Sequence, residues 1–265
     1  MANETRLRAQ VLPQLTSVSE AQHNHLRAAG AHGAEYWSTQ PDEDRPVYKK
    51  FKTEVKNYYR SEQGRRCCYC SVEIQNDHGT FDAEHILDKS THPQFMFELN
   101  NLAASCRPCN RSKGTQVTLA ESVQCQTVPV QATDYVIVHP HLDEWDQHLE
   151  FDELKRIRPK DGSPKGSKTI VMCGISTLNA ARLSDFFSLG RGRAEEALHK
   201  FFDYKQLSRK QAMLELLRAL AGQGDATARA IVDRLEEEMR LELEAPAPPQ
   251  RRKRRLQIQG TNQDR

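Results

Sequence analysis

Two short cysteine pairs, Cys67-x-x-Cys70 and Cys106-x-x-Cys109, stand 35 residues apart and restrict what this chain can fold into. Two such knuckles can bring four thiolates to the corners of one tetrahedral Zn²⁺ site, which closes the intervening segment into a loop. One pair alone is weak evidence; two at this spacing are strong. Cys68 lies inside the first knuckle, and the two-residue gap favours Cys67 over it as ligand. The seven cysteines are odd in number and five fall in this one region. In a chain without a secretion signal that pattern points to metal rather than disulfides.

The segment Met1 to Gln10 is charged and lacks the apolar core of a signal peptide. No stretch approaches the roughly 18 apolar residues that span a bilayer. A cytoplasmic protein without membrane association is expected. The composition, 28% charged and 37% hydrophobic, allows a core, yet the formal net charge is only +2. Such a chain does not coat nucleic acid through its whole surface, so any contact must come from a local basic patch.

Periodicity and breakers divide the chain. Residues 1–46 read as one or two short helices followed by a turn-rich linker, Tyr36 to Pro46. Val47, Phe51, Val55 and Tyr58 predict a helix over Val47 to Arg60. Its lysines, Lys49, Lys50, Lys52 and Lys56, lie mostly on other faces, as solvated charge or as phosphate contacts. The knuckles and what lies between them occupy 47–118. In 119–192, strands are expected at Tyr135 to Val138, Phe151 to Arg158 and Lys168 to Met172, then a helix over Thr177 to Ser188 capped by Ser176. A short helix is expected at Gln94 to Leu99. Over 193–244, Leu214, Leu217, Leu220, Ile231, Leu235 and Met239 recur at helical spacing around a break at Gly222-Gln223-Gly224. Residues 245–265 read as a proline-rich spacer and a disordered basic tail, Arg251 to Arg255. The class is α+β.

Between the knuckles stands Asp82-Ala83-Glu84-His85-Ile86, then Asn100-Asn101-Leu102. The second knuckle leads straight into Asn110-Arg111-Ser112-Lys113-Gly114. Taken together, FDAEHILDKS and NNLAASCRPCNRSKG resemble the HNH endonuclease family, over Arg66 to Gly114. A looser resemblance extends to HNH proteins encoded in bacterial defence systems against phage. The resemblance implies a central ββα-metal core stapled by zinc, flanked by N-terminal helices and by a C-terminal region that is mixed and then helical. It makes His85 the general base. It makes Glu84 and Asn110 ligands of a catalytic Mg²⁺ or Mn²⁺, and Asn101 the residue that pins the loop and orients His85. Many members carry histidine where this chain has Asn110, which favours hard, oxygen-preferring cations here. Lys113 and Arg111 are candidates for substrate phosphate. The partners implied are DNA and a protein such as an ATPase or sensor subunit, for which the region 193–244 is a candidate dock.

Elementary chemistry agrees in part. Phosphodiester hydrolysis needs an activated water, a cation at the phosphate and a stabilised leaving group. A neutral histidine is a natural base near pH 7. Neighbouring side chains on a strand, however, point to opposite faces. Glu84 and His85 therefore reach one site only if the strand bends or the metal lies at its edge. Asp82 reads as a supporting carboxylate or a strand-end residue. His92 is a minor metal candidate, His139 and His141 read as braces, and Trp37 and Trp145 as core or interface aromatics. Two alternatives stay open: a zinc-stapled nucleic-acid-binding adaptor with a vestigial site, and an RNA-cleaving toxin.

Overall fold

In a computed structural model of the chain, residues 8–75, 77, 79–188, 190–222 and 225–244 are described. The basic tail read from the sequence lies outside them. Helix α1 (Glu20–Gly30) opens with a reciprocal cap: Ser19 Oγ accepts from Gln22 N, and the Gln22 side chain accepts from Ser19 N. Helix α2 (Arg45–Glu62) carries Pro46 in its first turn and buries Tyr48, Phe51, Val55 and Tyr59 at threes and fours. That stripe packs on the antiparallel pair β1 (Phe81–His85) and β2 (Leu102–Cys106). The register sets Phe81 opposite Cys106 and His85 opposite Leu102. Helix α3 (Arg107–Lys113) follows β2 without a break, and Gly114, at φ +51°, ends it.

The second half begins with α4 (Trp145–His148) and a small hairpin of β3 (Leu149–Phe151) and β4 (Ile157–Pro159). Helices α5 (Pro164–Met172), α6 (Ile175–Ser184), α7 (Arg191–Asp203), α8 (Leu207–Ala221) and α9 (Ala226–Glu244) complete the chain. Buried apolar residues form two clusters. One gathers α1 to α5 and both hairpins; the other lies among α6 to α9. A polar tie joins them: buried Arg156 is clamped between Asp152 and Glu238, and Glu238 also takes Arg158. No described helix is long and apolar enough to cross a membrane.

Several local expectations give way. Lys168 to Met172 is the end of α5, not a strand. Ser163 caps that helix, accepting from Gly166 N at 3.1 Å, and Pro164 presets its first turn. These start signals outweigh the β-branched run Thr169-Ile170-Val171. Phe151 to Arg158 is not one strand but the turn of the hairpin with parts of both its strands. Tyr135 to Val138 forms no strand; Tyr135 makes one isolated bridge to Leu119, and Tyr135, Ile137 and Val138 are buried in the core. The helix after α5 starts at Ile175, with Gly174 at φ +62° as its N-cap and no cap from Ser176. Gln94 to Leu99 holds only separate 3₁₀ turns. The segment read as a linker includes a buried anchor, Trp37, closing a 3₁₀ turn (Ala34–Trp37).

Close packing of α5 on α4 is testable. A Cβ added at Gly166 would lie 2.1 Å from the His148 carbonyl oxygen, where backbone meets backbone. Gly166→Ala is expected to cost about 1–3 kcal/mol, the usual range for overpacking, seen as a lower melting temperature. An unchanged melt would contradict this contact.

Candidate functional site

The four sulfurs of Cys67, Cys70, Cys106 and Cys109 lie within 4.8 Å of one another, with Cys70 and Cys106 3.6 Å apart. A tetrahedron with Zn–S bonds of about 2.3 Å has S···S edges of about 3.8 Å, so this donor set fits zinc. The first knuckle is shaped by Ser71 N donating to Cys67 O, with Ser71 at φ +58°. In the second, Cys106 ends β2 and Cys109 sits one turn into α3. Contact with the Cys106 thiol holds both the Cys70 and Cys109 thiols well above their ordinary pKa. A shared dication relieves such a crowd of sulfurs, because it binds the deprotonated forms. Cys68 is buried outside the quartet.

Where β1 meets α3 opens a cleft of about 310 Å³, lined in part by Trp37, Lys52, Asp82, His85, Asp88 and Asn110. His85 Nε2 lies 3.1 Å from the Met96 carbonyl, which can only accept, so Nε2 carries the proton and Nδ1 the lone pair. Burial, and then the charge of Lys89, push its pKa down to about 3. The imidazole is therefore neutral throughout the physiological range. Asn101, fully buried, holds the loop that follows. Its Oδ1 accepts from Leu87 N, its Nδ2 donates to Leu87 O and Phe95 O, and its carbonyl accepts from Ile86 N.

Asp82 and Glu84 share the face of β1 that meets α3, as strand alternation requires. They meet residues three apart on that helix. Asn110 Nδ2 donates to Asp82 Oδ2 at 2.9 Å, and Lys113 Nζ lies 3.0 Å from Glu84 Oε1. Their environments differ. Asp82 is half-buried at the cleft. Glu84 is fully buried and also accepts from Tyr69 Oη at 3.1 Å and Ser105 Oγ at 3.3 Å. Burial lifts the Glu84 pKa, and Lys113 pulls against that rise.

The sequence reading made Glu84 a metal ligand; the structure sets its carboxylate in an interior ion pair and brings Asp82 to the cleft instead. Lys113 borders the cleft but is 1% exposed, and its ammonium donates inward, to Glu84 and to the His85 carbonyl at 3.0 Å. Arg111 is exposed on α3 and does not line the cleft. Asp82 and Glu84 have the same strand parity, so alternation could not separate them; they differ in burial, half for Asp82 and full for Glu84.

Sequence reasoning gave no individual role at this site to Lys52, Lys89, Asp88 or Trp37, all of which line the cleft. Lys52 reaches it from α2, its ammonium over the rings of Trp37 (5.2 Å) and Tyr48 (5.4 Å). Burial lowers its pKa, opposed by the charge of Asp82. Asp88 Oδ1 accepts from Ser90 N and Thr91 N, which shapes the loop after β1. His92 stacks on Phe95. His141 braces two segments, with its ring nitrogens on the carbonyls of Ala9 and Leu102.

No protein-family model matches the chain. It is similar to a Septu protein PtuB of Bacillus thuringiensis, 33% identical over 90 residues, which covers 34% of this chain and 32% of that protein. It is also similar to a Septu protein PtuB of Bacillus mycoides (strain KBAB4), 29% identical over 140 residues, 46% of this chain and 47% of that one. The matched stretches thus span less than half the length of either relative.

The two centres should separate under mutation. Cys106→Ser is expected to abolish zinc retention and cooperative unfolding, while His85→Ala keeps both, as read by metal analysis and thermal melts. Glu84→Ala strands the buried Lys113 ammonium and should cost about 3–5 kcal/mol. A loss below about 1 kcal/mol, within the range of exposed ion pairs, would mean that the pair is solvated.

Proposed function

We propose that the chain is a metal-dependent HNH-type endonuclease that hydrolyses phosphodiester bonds of DNA, acting as the effector of a bacterial anti-phage defence system. One observation carries this reading: a neutral histidine at a cleft lined also by two aspartates, an asparagine and three lysines, one of them paired inward. The antiparallel pair β1–β2 running directly into α3, stapled by four cysteines, supports the assignment to this family. The Septu relatives support the defence context, together with the looser sequence resemblance to defence-system HNH proteins.

Asp82 and Asn110 are the residues that would hold the catalytic cation. Both offer oxygen, the donor that Mg²⁺ and Mn²⁺ prefer, and one hydrogen bond already orders them against each other. Bound there, the cation would supply Lewis acidity toward the phosphate and acidify a water. His85 Nδ1 takes the proton from the attacking water. Burial is the main cause of the depression, so the base is weak and would rely on the cation to acidify the water. Lys52 and Lys89 grip the phosphate by charge, which positions the backbone without reading bases. The small net charge of the chain leaves recognition to a partner, an ATPase or sensor subunit docking on the helices of 193–244.

Plasmid nicking with Mg²⁺ and with Mn²⁺ tests this, with RNA assayed in parallel. Wild type is expected to nick the plasmid and His85→Ala to lose at least about 10²-fold, the usual share of a general base. Equal cleavage by both proteins would refute the base assignment. Preferential cleavage of RNA would replace the substrate.

The pH profile gives a second test. A folded pKa depressed to about 3 means that His85 sheds its proton above that value. Activity should therefore show no loss assignable to His85 between pH 5 and 8. An acid limb centred near pH 6.5, the unperturbed histidine value, would contradict this environment.

A further inference from the structure

We propose that Trp37, which the nuclease motif does not include, is a positioning residue for the base; the inference rests on the nuclease reading of the cleft. Its indole meets the His85 imidazole edge to face, with ring centroids 4.4 Å apart and an interplanar angle of 81°. The geometry explains why a second contact is needed. The single hydrogen bond from Nε2 to Met96 O fixes one point of the ring. The torsion that turns a histidine ring about its stem is otherwise broad. Packing against a rigid plane removes that freedom and keeps Nδ1 on the cleft.

Trp37 is itself tied down. Tyr48 Oη donates to its carbonyl at 2.5 Å, and its ring packs on Tyr48 and Phe97 at 5.4 and 5.6 Å. The ring also lies beneath the Lys52 ammonium at 5.2 Å, so one indole touches both the base and a cation of the cleft. Trp37 sits in the 3₁₀ turn ahead of α2, 48 positions before His85. The segment before the motif thereby completes the site.

The test compares Trp37→Leu, which keeps apolar volume but removes the ring, with Trp37→Phe, which keeps a ring. Both are taken forward only with wild-type zinc content and cooperative melting. Trp37→Met replaces Trp37→Leu if that protein fails to fold. Under saturating plasmid, Trp37→Leu is expected to lose kcat on the order of 10²-fold, the scale set by misplacing a catalytic group by about 1 Å. Trp37→Phe is expected to recover most of that loss. Diethylpyrocarbonate footprinting by peptide mass spectrometry reads the same geometry without activity. His85 should be modified through its cleft-facing Nδ1 at the same rate in wild type and Trp37→Phe, and at a clearly different rate in Trp37→Leu, where the ring is free to turn.

Wild-type kcat in Trp37→Leu, a defect confined to KM, or a Phe variant as impaired as the Leu variant would each overturn the proposal. If the wild type cleaves nothing, the nuclease reading fails, and the footprint still decides the placement of Trp37. Equal modification of His85 in all three proteins would overturn it.

Discussion

The cleft depends on how α3 is seated against β1. Three ties set that seat. Cys106 and Cys109 fix the start of the helix to the first knuckle. Asp82 takes Asn110 one turn along, and Glu84 takes Lys113 at the end. The last tie is the most demanding. A buried ion pair is stable only when its remaining donors and acceptors are satisfied, and here Tyr69, Ser105 and the His85 carbonyl satisfy them. Tyr69 lies within the first knuckle, so the cysteine cluster and the strand that carries His85 share one hydrogen-bonded interior.

That arrangement places opposite demands on two carboxylates only two residues apart. Glu84 is held inside by a cation and two hydroxyls. Asp82, on the same face of the strand, stays half-buried at the cleft beside Asn110. Around it Lys52 and Lys89 bring two cations to a cleft that also holds Asp88, on a chain whose net charge is only +2.

Much of this was legible in the sequence. The cysteine spacing marked the four-sulfur cluster, and α2 and the C-terminal helices followed from apolar stripes at threes and fours. Asn101 was readable as a loop-pinning residue because it matches the middle asparagine of the motif, and its side chain does bond Leu87 and Phe95. The sequence could not divide Asp82 from Glu84, because both lie on one face of β1 and only the packing of α3 buries one and leaves the other at the cleft. Lys52 was named only as one of four helix lysines that could contact phosphate, and its nearness to His85, like that of Trp37, was out of reach for a different reason. Their approach to His85 comes from packing of α2 and the preceding turn on β1, a long-range contact with no local signature. Lys168 to Met172 misled because a β-branched run outweighed the Ser163-Pro164 start signal that governs the helix.

Titration of Mn²⁺ into the zinc-loaded protein, followed calorimetrically, addresses the central claim most directly. One Mn²⁺ site is expected in wild type, abolished in Asp82→Ala and retained in Glu84→Gln. Loss of binding in Glu84→Gln with full binding in Asp82→Ala would contradict the account, because it would place the cation on the interior pair rather than in the cleft.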